Sequence, residues 1–261
     1  ISIPSVAVIG GGSSVCNGST LSLSNSTSGG VWGTSNSAIA SVDASGVVTG
    51  NAVGTSVITY SVTSGGCTNT ESTTVIVSSL PSATITASTT TICTGASVTL
   101  SANAGSGNTY SWSNGTSVVG TTQSIVVSPT ATTSYTVTVT LSTGCSTTSS
   151  ATTVTVNSLP TATITASAAS VCAGSSATLT ASSGTSYLWS TGATTASITV
   201  SPTSATSYSV TVTNANGCSA TSAVTTIAVD ALPTVAAITG TTNVCSGLTT
   251  QLASATAGGT W

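Results

Sequence analysis

The sequence almost lacks charge. Its 261 residues contain no Lys, Arg or His and only three acids, Asp43, Glu71 and Asp230. Acid–base catalysis near neutral pH usually depends on His, or on a carboxylate or Lys with a shifted pKa. Because the chain has no such base and its acids are far apart, we expect no enzyme activity and no cofactor. We also expect no metal site, since Ca²⁺ requires several converging oxygen ligands.

The missing cations exclude two classes of partner as well. Nucleic-acid binding and binding to anionic membranes both depend on Lys and Arg side chains that neutralise phosphate groups. No apolar run approaches the roughly 18 residues needed for a membrane-spanning helix. We therefore expect no nucleic-acid partner and no membrane insertion for this segment.

The residues that are present favour β-strands. Phe and Met are absent, yet 39% of the residues are hydrophobic and the mean hydropathy is +0.48. Val, Ile, Ala and Leu alternate with Thr and Ser, as where Ala177, Leu179 and Ala181 are separated by Thr178 and Thr180. This two-residue period predicts strands with one buried face, and the composition is poor for helices. The expected fold class is all-β.

The chain is built from repeats that share three landmarks. An apolar residue followed by Pro occurs four times, and each pair is followed first by a Cys and then by a Trp. These landmarks divide the chain into residues 1–79, 80–158, 159–231 and 232–261, the last being incomplete. The junction pairs after the first are Leu80 and Pro81, Leu159 and Pro160, and Leu232 and Pro233.

The repeats are of two kinds. The second and third contain Tyr-x-Trp, at Trp112 and Trp189, whereas the first and fourth contain Gly-Gly-x-Trp, at Trp32 and Trp261. The fourth repeat aligns with the first without a gap. We expect a super-repeat of three domains, in a chain that continues beyond residue 261 and that begins here either after any export signal or well inside a longer protein.

The repeats resemble known bacterial modules. The third, which includes SVCAGSSATLTASSGTSYLWSTG, resembles the bacterial Ig-like and PKD-like modules found in tandem in giant surface proteins, and so does the second. The first, with VWGTSNSAIASVDASGVVTG, resembles the group-two bacterial Ig-like domain. The resemblance implies tandem Ig-like antiparallel β-sandwich domains in a linear array. Such modules occur in adhesins, gliding or biofilm filaments, and exported hydrolases of the type IX secretion route.

Seven cysteines are expected to form structural disulfides. No Cys-x-x-Cys occurs and no His is available, which disfavours metal or redox chemistry. The second Cys lies ten residues after Tyr135 or Tyr208, unlike the antibody arrangement, so the bridge should lie elsewhere and hold one end of each sandwich. The expected pairs are Cys16–Cys67, Cys93–Cys145 and Cys172–Cys218, with the partner of Cys245 outside the chain.

Two further roles are expected for apolar residues. One Trp in each complete repeat (Trp32, Trp112, Trp189) is predicted to lie in the core, the alternative being an exposed platform that stacks on glycans. The Leu-Pro pairs are predicted to stiffen the junctions, since Pro restricts the backbone and Leu can pack between neighbouring domains.

These observations predict a non-catalytic structural segment. The hypothesis is a disulfide-stapled spacer in a long bacterial filament or adhesin, located outside the cell or at its surface because disulfides persist in oxidising compartments. Its expected partners are further repeats of the same chain or neighbouring copies, because strand edges without charged residues can pair. Two alternatives are a module that binds glycans or another surface, and the non-catalytic tail of an exported hydrolase.

Overall fold

The computed structural model describes residues 2–260, which form strands, turns and irregular segments. None of these residues belongs to a helix long and apolar enough to cross a membrane. The chain divides into two compact units, residues 1–157 and 158–261. The first unit contains two β-sandwiches, and the second contains one sandwich followed by the segment 232–260.

The first sandwich has seven strands in two sheets. The strands are β1 (Ser14–Cys16), β2 (Thr20–Ser22), β3 (Val31–Thr34), β4 (Ala40–Val42), β5 (Val47–Gly50), β6 (Gly54–Ser64) and β7 (Cys67–Ser78). The sheet orders are β1-β7-β6-β3 and β2-β5-β4, and Leu23, Val48, Ile58 and Val75 are buried between the two sheets.

The second sandwich has nine strands around a core that contains Leu100, Trp112 and Val137. The strands are β8 (Ile85–Ala87), β9 (Thr91–Cys93), β10 (Val98–Ala102), β11 (Thr109–Ser113), β12 (Val118–Gly120), β13 (Ser124–Val127), β14 (Thr133–Thr140), β15 (Ser146–Thr148) and β16 (Thr152–Asn157). One sheet has the order β13-β10-β8, and the other has the order β12-β11-β14-β16-β9, with β15 also paired to β14.

The third sandwich has nine strands around a core that contains Leu179, Trp189 and Val210. The strands are β17 (Ile164–Ala166), β18 (Ser170–Cys172), β19 (Ala177–Ala181), β20 (Ser186–Trp189), β21 (Ser197–Val200), β22 (Thr206–Tyr208), β23 (Val210–Thr213), β24 (Ser219–Thr221) and β25 (Thr225–Asp230). They pair in the orders β17-β19-β21, β18-β25-β22 and β20-β23-β24.

The predicted alternation is confirmed in these strands. In β19, Ala177 and Leu179 are buried while Thr178 and Thr180 are exposed. A side chain on every second residue therefore enters the core, and hydroxyl side chains cover the other face. The fold is all-β, as expected from the sequence.

One feature departs from a purely antiparallel sandwich. In each sandwich, a short strand near the start of the domain pairs in parallel with the last strand: β1 with β7, β9 with β16, and β18 with β25. In the second sandwich the chain first pairs β8 with β10 in one sheet and then moves to the other sheet as β9. This crossing carries a cysteine to the end of the sandwich at which the last strand finishes.

The segment 232–260 reproduces the start of the first sandwich. The isolated bridge between Gly10 and Ser24 recurs between Thr239 and Ala253. The hydrogen bond from Ala7 N to Thr27 Oγ1 (2.9 Å) recurs from Ala236 N to Thr256 Oγ1 (2.7 Å). The sequence match between the first and fourth repeats is therefore also a match of local backbone structure.

Candidate functional site: a disulfide between consecutive sandwiches

The first cysteine of each domain lies in a turn at the end of the last strand. Cys16 is the final residue of β1 and pairs with Ser78, the final residue of β7. Asn17 N donates to Ser78 O (2.9 Å), and Ser19 N donates to Cys16 O (2.9 Å) to close the turn. Gly18 adopts φ 80° at the third position, as a type II turn requires. Cys16 is thus held where the chain leaves the first sandwich.

The second cysteine lies at the opposite end of its domain. Cys145 ends the turn between β14 and β15, where Leu141 N donates to Cys145 O (2.9 Å). From Cys145 the chain runs through β15 and β16 to Asn157, and Asn157 pairs with Cys93. The two cysteines of the second sandwich are therefore separated by the length of its last strands.

Cys16 and Cys145 form a disulfide that joins the first sandwich to the second. The S–S distance is 2.03 Å and the Cα–Cα distance is 5.6 Å, across a sequence separation of 129 residues. The Cys145 side chain is 1% exposed. A covalent bond thus connects the exit end of one domain with the entry end of the next.

The expected pairs within each repeat are wrong. Cys16 bonds Cys145 rather than Cys67, Cys145 is not bonded to Cys93, and Cys67 and Cys172 are free thiols. In the first sandwich, Cys67 begins β7 and Cys16 lies beside the other end of that strand. At roughly 3.3 Å per residue those ends are about 36 Å apart. A disulfide requires Cα atoms within about 7 Å, so no such bond can form within the domain.

The remaining cysteines fall into the same two kinds of turn. Cys93 and Cys218 are also disulfide-bonded, whereas Cys245 is a free thiol like Cys67 and Cys172. The expected Cys172–Cys218 pair fails for the same reason as Cys16–Cys67. Cys172 lies opposite Asp230 at the end of β25, and Cys218 precedes β24 at the far end of the sandwich.

The tryptophans are part of the cores. Trp112 is 0% exposed and Trp189 is 2% exposed. Their indole Nε1 atoms donate to Thr122 O and Thr195 O, at 2.8 Å in each case. Trp32 is half-buried and packs against the first core. This agrees with the expected core role, and it leaves neither Trp112 nor Trp189 a free ring face for a glycan. Trp261 lies outside the described residues.

The acids have no common site. Asp43 Oδ1 accepts hydrogen bonds from Ser45 N (2.8 Å) and Val47 N (2.9 Å), which fixes the turn between β4 and β5. Among residues 2–260, no three His, Cys, Asp or Glu side chains converge on a position that could hold a metal ion. The role that the structure gives Asp43 is that of a turn-forming side chain.

The stiffening of the junctions by the Leu-Pro pairs stays a prediction. Leu80, Leu159 and Leu232 are 49%, 46% and 61% exposed. The backbone that leads into the second sandwich is held by Asn103, whose Nδ2 donates to Ser82 O (2.8 Å) and whose Oδ1 accepts from Thr84 N (3.1 Å). Sequence reasoning missed this residue, because its role depends on contacts across the fold.

A family of bacterial modules matches one of the sandwiches. Residues 81–158 match the family model described as an Ig-like domain, CHU_C associated. No curated protein matches the chain.

Solved structures of tandem β-sandwich proteins resemble the chain at low identity. A three-Ig segment of titin is 10% identical and covers 88% of this chain and 100% of its own, with a TM-score of 0.37. Three N-terminal domains of the bacteriophage RB49 Hoc protein are 15% identical and cover 87% of this chain and 99% of their own, with a TM-score of 0.34. Fibronectin(III)-like modules of Clostridium thermocellum CbhA are 15% identical and cover 57% and 95%, with a TM-score of 0.32. The strand topology and the family match together identify the fold as tandem Ig-like β-sandwich domains.

Proposed function

We propose that this chain is a structural segment of a long bacterial filament or adhesin, in which Ig-like domains act as a disulfide-stapled spacer. The observation that carries the proposal is the Cys16–Cys145 bond, because it joins two consecutive domains rather than closing one. A bond in that place limits the motion of one domain against its neighbour, which is the property that a spacer needs.

The bond also determines how tension passes along the chain. A load applied to the N-terminus reaches Cys16, crosses to Cys145 and continues along β15 and β16. The intact bond bypasses the 129 residue steps between the two cysteines. Most of both sandwiches is thereby protected from stretching.

Three further observations support an extracellular fibre of repeats. Disulfides form and persist in oxidising compartments, which favours a location outside the cell or on its surface. The local structure of the first repeat returns in residues 232–260, which supports a period of three domains. Strand edges without charged residues favour pairing with further repeats or neighbouring copies. On this proposal the segment has no catalytic role.

The glycan-binding alternative loses its strongest candidate residues. Stacking on a sugar requires an exposed aromatic face, and both Trp112 and Trp189 are enclosed in their sandwiches. The tail of an exported hydrolase remains compatible with the same domains, since Ig-like modules accompany many different activities.

Single-molecule force measurement tests the spacer proposal directly. In a background in which Cys93 and Cys218 are replaced by serine, stretching the oxidised and the reduced chain should give contour lengths that differ by about 440 Å for the Cys16–Cys145 loop, at roughly 3.4 Å per residue. Adding Cys145→Ser to that background should give the longer extension without reductant. Equal contour lengths in the oxidised and reduced chains would rule out load transfer through the bond.

Electron microscopy of native material tests the filament proposal. We expect a thin fibre whose axial repeat corresponds to three domains. Globular particles attached to a catalytic domain would instead support the hydrolase tail.

A further inference from the structure

The turn that holds Cys16 is repeated at three other cysteines. In each turn the cysteine carbonyl accepts a hydrogen bond from the third residue after it, at 2.9 to 3.0 Å. Each turn also has a glycine at positive φ two residues after the cysteine. The four turns begin at Cys16, Cys93, Cys172 and Cys245.

The position of these turns against the last strand is also conserved among the three sandwiches. Asn17 N, Thr94 N and Ala173 N each donate to the carbonyl of the residue that ends their last strand, at 2.9, 2.9 and 3.0 Å. The free thiol of Cys172 is therefore placed by the same backbone bonds as Cys16 and Cys93, and both of those are disulfide-bonded. We call these four positions the exit cysteines.

A second set of three cysteines follows the hairpin at the other end of each domain. Cys67, Cys145 and Cys218 each follow a glycine at positive φ, at Gly66, Gly144 and Gly217. Cys145 and Cys218 are bonded, whereas Cys67 is a free thiol at the first position of β7. We call these three positions the entry cysteines.

We propose that the exit cysteine of every Ig-like domain bonds the entry cysteine of the domain that follows it. The Cys16–Cys145 bond is one step of this series. The rule assigns to Cys172 and Cys245 the entry cysteines of following domains, and to Cys67 the exit cysteine of a preceding domain. The result is a series of covalent links, one at each junction between domains. The pairing rule does not depend on whether the protein is a filament.

Each link requires an oxidant. Two cysteine thiols lose two protons and two electrons to form one disulfide, and the disulfide of a thiol–disulfide oxidoreductase accepts them and becomes two thiols. Such exchange takes place in the oxidising compartments where structural disulfides form.

Counting thiols in this chain distinguishes the rule from pairing within domains. The chain should be unfolded in urea with an alkylating reagent present and then analysed by mass spectrometry. The rule leaves three alkylated cysteines, Cys67, Cys172 and Cys245, whereas pairing within domains leaves Cys245 alone.

Cleavage after the three acids gives an independent test. Digestion of the unreduced chain at Asp43, Glu71 and Asp230 should leave the 1–43 fragment attached to the 72–230 fragment and release 44–71. Attachment of 1–43 to 44–71 would overturn the rule.

A longer chain tests the assignments of Cys67 and Cys172. Repeating residues 33–157 after Trp261 completes a fourth sandwich and adds a fifth, because Trp261 corresponds to Trp32. We expect a disulfide between Cys172 and the added copy of Cys67, and two free thiols in total, at Cys67 and the added copy of Cys93. No free thiols, or a dimer linked through Cys172, would contradict the proposal.

Two controls accompany this experiment. Changing Cys172→Ser in the longer chain should raise the number of free thiols from two to three, because the copy of Cys67 loses its partner. If the longer chain does not fold, disulfide mapping of the native protein decides the matter. Cys172 should then be joined to a Gly-Cys turn of another Ig-like domain, and a free Cys172 would overturn the assignment.

Discussion

The first sandwich and the second place a tyrosine beside the tryptophan from different strands. Trp32 in β3 lies opposite Tyr60 in β6, and the two rings are 4.8 Å apart. Trp112 in β11 lies opposite Val137 in β14, and the tyrosine beside it, Tyr110, belongs to the same strand as the tryptophan. The third sandwich follows the second, with Trp189 opposite a valine and a tyrosine in the tryptophan strand.

This difference in the strand that carries the tyrosine explains the two tryptophan motifs of the sequence. Tyr60 packs so closely on Gly30 that a Cβ at residue 30 would overlap its ring. The Tyr60 hydroxyl accepts a hydrogen bond from Gly30 N (2.9 Å) and donates one to Thr27 O (2.7 Å). In the first sandwich the glycine of Gly-Gly-x-Trp thus makes room for a tyrosine of the neighbouring strand, whereas in the second and third sandwiches a tyrosine of the tryptophan strand itself takes that sequence position.

The last strand also differs between the two kinds of domain. β6 and β7 form one continuous hairpin through Gly65 and Gly66 in the first sandwich. In the second sandwich the corresponding strand is interrupted between β15 and β16, where Ser149 turns inward. Its Oγ accepts from Val137 N (3.1 Å), and its own N donates to Val137 O (2.9 Å).

Replacement of the tryptophans should give the largest effect. Trp112→Ala should destabilise the second sandwich by about 3–5 kcal/mol, the usual cost of removing a large buried side chain. Trp189→Ala should do the same to the third. Trp32→Ala should cost less, since Trp32 is half-buried. Hydrogen exchange measured strand by strand in the intact chain can assign each loss to one sandwich, and equal losses at all three positions would contradict the comparison.

A double-mutant cycle at Gly30 and Tyr60 should give the next largest effect. Gly30→Ala forces a methyl group against the Tyr60 ring and should cost about 1–3 kcal/mol. The same change in a Tyr60→Val background should cost less, because the opposing ring is gone.

Gly259→Ala provides the matched control for that cycle. Gly259 occupies the corresponding position in residues 232–260, and apart from its two chain neighbours no residue within that described segment or elsewhere in residues 2–260 has an atom within 4 Å of an added Cβ. Denaturant unfolding should therefore show little change. Additive losses at Gly30 and Tyr60 would show that the two residues do not depend on each other.

Removal of the inward serine should affect the second and third sandwiches alone. Ser149→Ala leaves the buried Val137 N–H without its side-chain partner, which should cost about 1–3 kcal/mol. Ser222→Ala removes the equivalent bond to Val210 N (3.1 Å). Ser150→Ala, at an exposed neighbouring residue, should be close to neutral in the same thermal unfolding experiment. A large loss at Ser150 would indicate that the loop as a whole, and not the buried bond, matters.

A buried hydroxyl in β15 offers a smaller, stabilising change. Thr147 Oγ1 is buried and, within residues 2–260, has no hydrogen-bond partner. Ala220 takes the same place in the third sandwich, opposite Val212 as Thr147 is opposite Val139. Thr147→Val should stabilise the second sandwich by about 1 kcal/mol, because it removes an unsatisfied polar group while keeping the shape. A lower unfolding midpoint would show that the hydroxyl does make a favourable contact.

The sequence predicts features that depend on neighbouring residues. Alternation of apolar residues predicts which face of β19 is buried, and the recurrence of one Trp in each repeat predicts core positions for Trp112 and Trp189. Both depend on local spacing, which the repeats display several times. The all-β class follows from the same information.

The disulfide pairing depends on the fold as a whole. Cys16 lies beside Ser78 because β1 runs parallel to β7, and no local pattern reveals a parallel pair formed by residues so far apart. Once that pairing is known, the length of β7 excludes Cys67 as a partner. The contribution of Tyr60 to the first core is hidden in the same way, because its contacts with Gly30 cross between strands.

The smallest expected effect is a dependence on alkaline pH in the second sandwich. Burial raises the pKa of the Tyr135 phenol above its usual value of 10.0, and a hydrogen bond with the Thr133 side chain opposes part of that rise. The folded state therefore holds the phenol proton more tightly than the unfolded state. Its contribution to stability is complete below about pH 10 and is lost as the pH rises through the folded-state value. Tyr135→Phe keeps the buried ring and removes the ionisation. The difference in unfolding midpoint between the two proteins should be constant up to about pH 9 and should shift in favour of Phe above pH 10, and a constant difference up to pH 11.5 would contradict this assignment.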